Sequence, residues 1–346
     1  MISDAYKNLL QYTGNPDQVF YAQRMTLKDG RADQLEVIDV DNGSGLHFWV
    51  MPGRCMDIGR LSLHGMNMSF LSKAGFSNSA HYEPAGMNGL HSFSPGFLTT
   101  CGLRNSGLPC EVNGEAFGFH GRIGQSPAEG ISVIRDTEGD TPCIRITGIT
   151  KEGWLFGPHL ELKRTITVYY GKNEIQIEDQ VTNLAATAEP VMMLYHFNMG
   201  YPFLTEDCKF VTTHEYMHPV DGNAKKLEDQ RFRFKAPKAA EPENCFYYKQ
   251  TRNDQGEAFA ACVNPKEGKA VMVCTNPEEL PLLCNWQSWA SGDYVMGLEP
   301  CTCFGDGREE HLKRNQMIML EPYECKTNHL TIRFAEGEQL DALLQN

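Results

Sequence analysis

Period-two alternation dominates the chain. Apolar, β-branched and aromatic residues recur at every second position over Gln34–Val40, Leu46–Met51, Cys143–Thr150, Leu160–Tyr170, Glu174–Thr182, Ala258–Val263, Ala270–Thr275, Gln316–Leu320 and His329–Phe334. A half-buried strand requires that pattern, because successive side chains point to opposite faces. Helical spacing is confined to Tyr6–Tyr12 and Leu340–Leu344, so the chain lacks the long crossover helices that a parallel sheet needs. Gly171-Lys172-Asn173 between two long strand-like runs predicts a hairpin, and with it antiparallel neighbours. The expected fold class is mostly β, one large antiparallel β-sandwich with few short helices, and residues 1–346 are expected to form a single domain. Lys225–Glu243, charged and holding Pro237 and Pro242, is expected to be a surface excursion.

Composition narrows the partners. With 346 residues and 41% hydrophobic content the chain buries a large core. A formal net charge of -13 repels phosphate backbones and anionic lipid, so neither nucleic acid nor a membrane is an expected partner. The N-terminal residues lack a basic start followed by an apolar run, and no apolar stretch is long enough to span a bilayer, which points to a cytoplasmic protein. Twelve cysteines without a repeating spacing read as reduced, apolar side chains rather than a disulfide framework.

Chemistry concentrates in a few strand-like stretches. Val191–Pro202 places His196 and Asn198 on one face of an apolar strand, where each needs a partner from the protein or from a ligand. In Val295–Pro300, Gly297 and Glu299 share a face while Met296 and Leu298 point to the core; an acid in so apolar a strand needs a cation or a raised pKa. Alternation aligns Gly118, His120 and Arg122, with the glycine leaving room beside the imidazole. Arg54 follows a Pro-Gly turn and faces Asp57, either as an ion pair fixing that turn or as a fork of donors for a ligand. Trp286 and Trp289 supply rings able to stack on the C–H faces of a sugar, or simply to fill a core. His214-Glu-Tyr-Met-His218 matches the H-E-x-x-H zinc pattern, but a β-like run precedes it and Pro219 follows it. On a strand rising about 3.3 Å per residue its histidines stand roughly 13 Å apart, too far to share a metal.

The stretches Pro52–Gly59, Leu98–Leu103, Gly118–Arg122, Tyr195–Pro202 and Gly297–Pro300 together resemble the aldose 1-epimerase, or galactose mutarotase-like, superfamily, and within it a less characterised aldose-epimerase-like branch. The resemblance implies a β-sandwich that holds a small-molecule carbohydrate in an open cleft and interconverts its anomers by general acid–base ring opening and closure. It carries catalysis to His120, His196 and Glu299, with Glu299 as base and His196 as acid, and sugar binding to Arg54; Arg122, Asn198 and Trp286 are the further residues expected to bind substrate. It implies no cofactor and no metal. Two departures stand out: the His-to-Asn motif is shortened to His196-Phe-Asn198, and the family's sugar-binding aspartate has no counterpart, Asp221 and Asp293 lacking motif support. Two other readings use the same residues: a metal-assisted isomerase or lyase acting on a keto-sugar or sugar acid, and a sugar-binding protein without turnover.

Overall fold

The computed structural model describes residues 2–344. Two large sheets carry the chain, and every ladder between their strands is antiparallel. The larger has 12 strands, and its middle runs Asp57–Leu63, Leu98–Leu103, Glu189–Met199, Asp293–Cys301, Leu282–Ala290 and Asn244–Lys249 in spatial order. The smaller has 8 strands, with Cys325–Glu336, Glu174–Asn183, His159–Tyr169 and Cys143–Gly153 adjacent. Alternation explains the packing between them. Tyr195, Phe197, Met296 and Leu298 of the larger sheet share one buried cluster with Ile146, Leu162, Ile166 and Ile177 of the smaller.

Leu46–Met51 is a strand over the residues expected, and the Gly171–Asn173 hairpin joins two antiparallel strands. The last strand runs longer than expected, Cys325–Glu336, because its polar positions are used inward: buried Asn328 donates to the Tyr195 hydroxyl at 3.2 Å. A short helix, Gly222–Lys226, leads into the surface excursion and is capped by Asp221, whose carboxylate accepts from the Asn223 and Ala224 amides. No helix among the described residues is long and apolar enough to cross a membrane.

A buried charged group also bridges the sheets. Arg164, 1% exposed at its side chain, rises from the smaller sheet to hold Asp179 through Nε at 2.8 Å and Nη2 at 2.6 Å, and reaches Asp57 of the larger sheet through Nη1 at 3.0 Å. Asp57 also accepts from the Thr100 amide and hydroxyl. Thr100 lies on the strand that pairs with Tyr195 and His196. The Asp57 that was expected to face Arg54 is therefore bonded elsewhere.

Candidate active site

On the face of the larger sheet turned away from the core, register brings three strands together. Asn198 stands opposite Gly297, Gly297 opposite Trp286, and Glu299 opposite Cys284, which sets His196 beside Glu299. His196 Nε2 lies 3.3 Å from Glu299 Oε1, and each residue is 4% exposed. The contact is close but poorly aligned, for Glu299 Oε1 has no hydrogen-bond donor; His196 Nδ1 and Asn198 Oδ1 are likewise unpartnered. Three orphaned polar atoms on one patch are unusual in a folded interior, and polar groups on a ligand would satisfy them. The Asn198 amide nitrogen donates to the His196 carbonyl at 2.7 Å, which fixes the side chain beneath the imidazole.

Gly297 makes the arrangement possible. A Cβ at this position would meet Glu299 Oε1 at 2.4 Å, and His196 Cε1 and Trp286 Cβ at 3.2 Å. Beside the pair the floor is sulfur: Cys101, Cys284 and Cys301 form a buried cluster with Leu194, Tyr247 and Phe304, and Cys245 packs against it. All twelve cysteines are free.

The upper wall is aromatic. The His120 ring stands 5.6 Å from that of His196, and Phe93 stacks on His120 at 6.1 Å while meeting His196 edge-on at 6.2 Å. Trp286 closes the other side at 5.3 Å from His196, and its indole nitrogen donates to Glu243 Oε2 at 2.8 Å. Trp289, one turn of the alternation away, faces the core and packs on Phe234 and Tyr294.

Several expectations change here. Gly118–Arg122 is not a strand: His120 sits in a tight turn at φ +57°, followed by Gly121 at φ +70°. The turn is pinned to Gly107, whose carbonyl accepts from the His120 amide at 2.8 Å and whose N–H donates to His120 Nδ1 at 3.2 Å. With Nδ1 accepting, the neutral ring carries its proton on Nε2. Arg122 turns away and lies over Trp154, 5.5 Å from the ring centre. Arg54 is 2% exposed and donates to Ser77 O, Ser92 O and Ser94 Oγ, so neither arginine presents its guanidinium to the pair. Of the two aspartates considered, Asp221 caps a helix and Asp293 pairs with Lys73 at 2.5 Å. His214 and His218 belong to a strand region, as Pro219 implied: His214 is buried, and His218 packs on Tyr247 and Phe304.

Two residues of the site were missed. Glu243 ends the segment read as a surface excursion, and only the fold shows that its carboxylate hangs over Trp286. Phe93 follows a polar stretch without periodicity, and its signal was limited to being an aromatic residue before Pro95.

Burial decides where the protons lie. It pushes the Glu299 carboxyl well above its ordinary range, and the Glu243 charge adds to that rise. The His196 imidazole is held well below its ordinary value, first by burial and then by His120. His120 itself is lowered to about 4 by burial. Both shifts favour the uncharged forms, a carboxylic acid beside a neutral imidazole. These directions run against an ionised Glu299 as base beside a charged His196 as acid, because among the described residues no cation offsets the cost of burying the carboxylate.

Residues 32–334 match the family model described as a domain of unknown function, DUF4432. No curated protein matches the chain. Among solved structures, a candidate aldose 1-epimerase from Klebsiella pneumoniae subsp. pneumoniae superposes with a TM-score of 0.90 at 24% identity, covering 96% of this chain and 89% of that one. A galactose mutarotase-like protein from Clostridium acetobutylicum gives 0.65 at 12% identity over 92% of this chain and 100% of its own. Galactose 1-epimerase from Lactobacillus acidophilus gives 0.57 at 14% identity, again over 92% and 100%.

Proposed function

We propose that this chain, which belongs to the DUF4432 family and has the galactose mutarotase-like fold, is an aldose 1-epimerase-type isomerase acting on a small carbohydrate. The observation that carries the reading is the buried contact of His196 with Glu299, two groups with opposed proton affinities and unpartnered atoms on one patch. Paired groups shifted in opposite directions are what acid–base catalysis at neutral pH needs.

Ring opening proceeds with protons balanced. His196 takes the proton of the C1 hydroxyl as Glu299 gives its own to the ring oxygen, and the bond from C1 to that oxygen breaks to leave an open-chain aldehyde. Rotation about C1–C2 presents the other face. Closure then returns a proton from His196 to the carbonyl oxygen while the attacking hydroxyl gives its proton to Glu299, so the pair ends as it began. Trp286 stacks on the apolar face of the ring, the Glu243 carboxylate accepts from sugar hydroxyls at the rim, and His120 Nε2–H donates to an oxygen of the ring.

Anomer-exchange NMR across a panel of free sugars and sugar acids tests the reaction; absence of exchange with every member rejects it. The pH profile of kcat/KM tests the proton assignment. The active pair holds one shared proton beyond the imidazole N–H. An acid limb is expected as His196 gains a second proton, and an alkaline limb as Glu299 loses its own. Glu299→Gln removes the alkaline limb on this assignment, whereas loss of the acid limb would restore the ionic one. A further expectation concerns Gly297→Ala. The added methyl displaces the carboxylate, so kcat falls by about 10²-fold, the scale of a 1 Å misplacement, while the melting temperature changes little because the site side of the strand, not the core, receives the methyl. Unchanged kcat would show that the carboxylate position does not matter.

A further inference from the structure

Little of the pair reaches solvent: His196 and Glu299 are each 4% exposed. The void next to His120, bordered by Phe93, Thr99 and Gly124, measures about 10 Å³, room for one water and not for a sugar. The walls around the pair therefore govern how a sugar reaches it. The floor is a sheet hydrogen-bonded on both sides, and Trp286 is carried by one of its strands; Phe93 and His120, outside the strands, form the wall with freedom to move.

That wall hangs from residues 78–92. Only Gly89 and Ser92 are buried in this stretch, and Glu83 to Asn88 are all exposed. Most of its backbone bonds are local turns, such as Tyr82 to Ser79 and Leu90 to Met87. Both its ends meet at one side chain: Arg54 Nη1 donates to Ser77 O at 3.1 Å, Ser92 O at 3.1 Å and Ser94 Oγ at 2.8 Å. Phe93, the ring against both histidines, follows Ser92 directly. From the middle of the stretch, the Tyr82 hydroxyl donates to Gly121 O at 3.0 Å and Gly86 O accepts from the Phe119 amide at 2.9 Å, gripping the turn on either side of His120.

From this geometry we infer that Arg54 is a positioning residue: it anchors residues 78–92 as a roof that lifts to admit the sugar and returns Phe93 and the His120 turn to the catalytic pair. The inference rests on the proposed function. Its three acceptors are neutral, and neutral acceptors hold a guanidinium less tightly than a carboxylate does, which suits an anchor around which the stretch opens and closes. Such openings are drawn from parts of a structure with few buried contacts.

Hydrogen exchange read by mass spectrometry on the full chain, together with anomer-exchange kinetics, tests it. Arg54→Met keeps the length of the buried side chain and removes every donor. Amides of 78–92 are expected to exchange at least about tenfold faster, with peptides of the smaller sheet unchanged. The accompanying fall in kcat/KM, about tenfold, is expected mainly as a raised KM, and Arg54→Lys recovers part of both. Unchanged exchange over 78–92 overturns the inference. So does a loosened roof with wild-type kcat and KM, which reduces Arg54 to a fold-stabilising residue. If Arg54→Met fails to fold, Ser94→Ala removes the shortest bond alone and is expected to move both readouts in the same direction; no change in either is again fatal. A wild-type protein that exchanges no sugar rejects the proposed reaction, and the hydrogen-exchange arm then still decides whether Arg54 anchors the roof.

Discussion

Glu299→Gln is expected to lower anomer exchange by about 10²–10⁴-fold, the contribution of a positioned acid–base group, with the fold intact. Glutamine has the shape of the carboxylic acid and is neutral like it, so the substitution removes the transferable proton without adding or burying charge. Gly297 leaves space for either side chain. The expectation is therefore a fall in kcat with an unfolding transition close to that of the parent. Measured exchange within a few-fold of wild type would remove Glu299 from the reaction, and a large drop in melting temperature would make it a structural acid.

The largest effect on stability is expected at Arg164. Arg164→Met leaves Asp57 and Asp179 buried without their cation, and breaking a buried pair from one side costs about 3–5 kcal/mol. Urea unfolding reads this directly, and a loss under about 1 kcal/mol would mean that water or a rearranged partner replaces the guanidinium. Asp57 also gives the parent a pH dependence. Burial, opposed by Arg164, raises its carboxyl to about 6, above the ordinary carboxylate range. The folded state then binds the proton more tightly than the unfolded chain, so this group's contribution is fully present below about pH 4 and is lost as pH rises towards 6.

Much of this was legible in the sequence where two-residue periodicity carried it. His196 and Asn198 share a face, Gly297 and Glu299 share another, and the fold sets those faces side by side because register in an antiparallel ladder follows from which residues must be buried. The failures share a cause. His120 looks like a strand residue because alternation cannot distinguish Gly-Phe-His-Gly-Arg in a ladder from the same residues in a turn; the difference is made by Gly107, 13 residues earlier. Arg54 and Arg122 offered the right chemistry, but where a long side chain points is settled by acceptors distant in the chain: Ser77, Ser92 and Ser94 for one, the face of Trp154 for the other. Glu243 lies in a charged segment where nothing local separates it from Glu241, which pairs with Lys235 and Lys238.

The sulfur floor has a consequence for how the protein ages. A thiol is oxidised or alkylated as its thiolate; burial drives Cys101 and Cys284 well above the ordinary thiol range, with Cys301 raised as well, and a hydrogen bond with Cys284, then burial, does the same for Cys245. The sulfurs nearest the pair are thus slow to react with oxygen or a labelling reagent. Cys325, at the solvent-facing start of the last strand, is exposed and takes the first damage. Storage without a reductant would therefore cross-link copies of the protein through their surfaces well before the chemistry at Glu299 is touched.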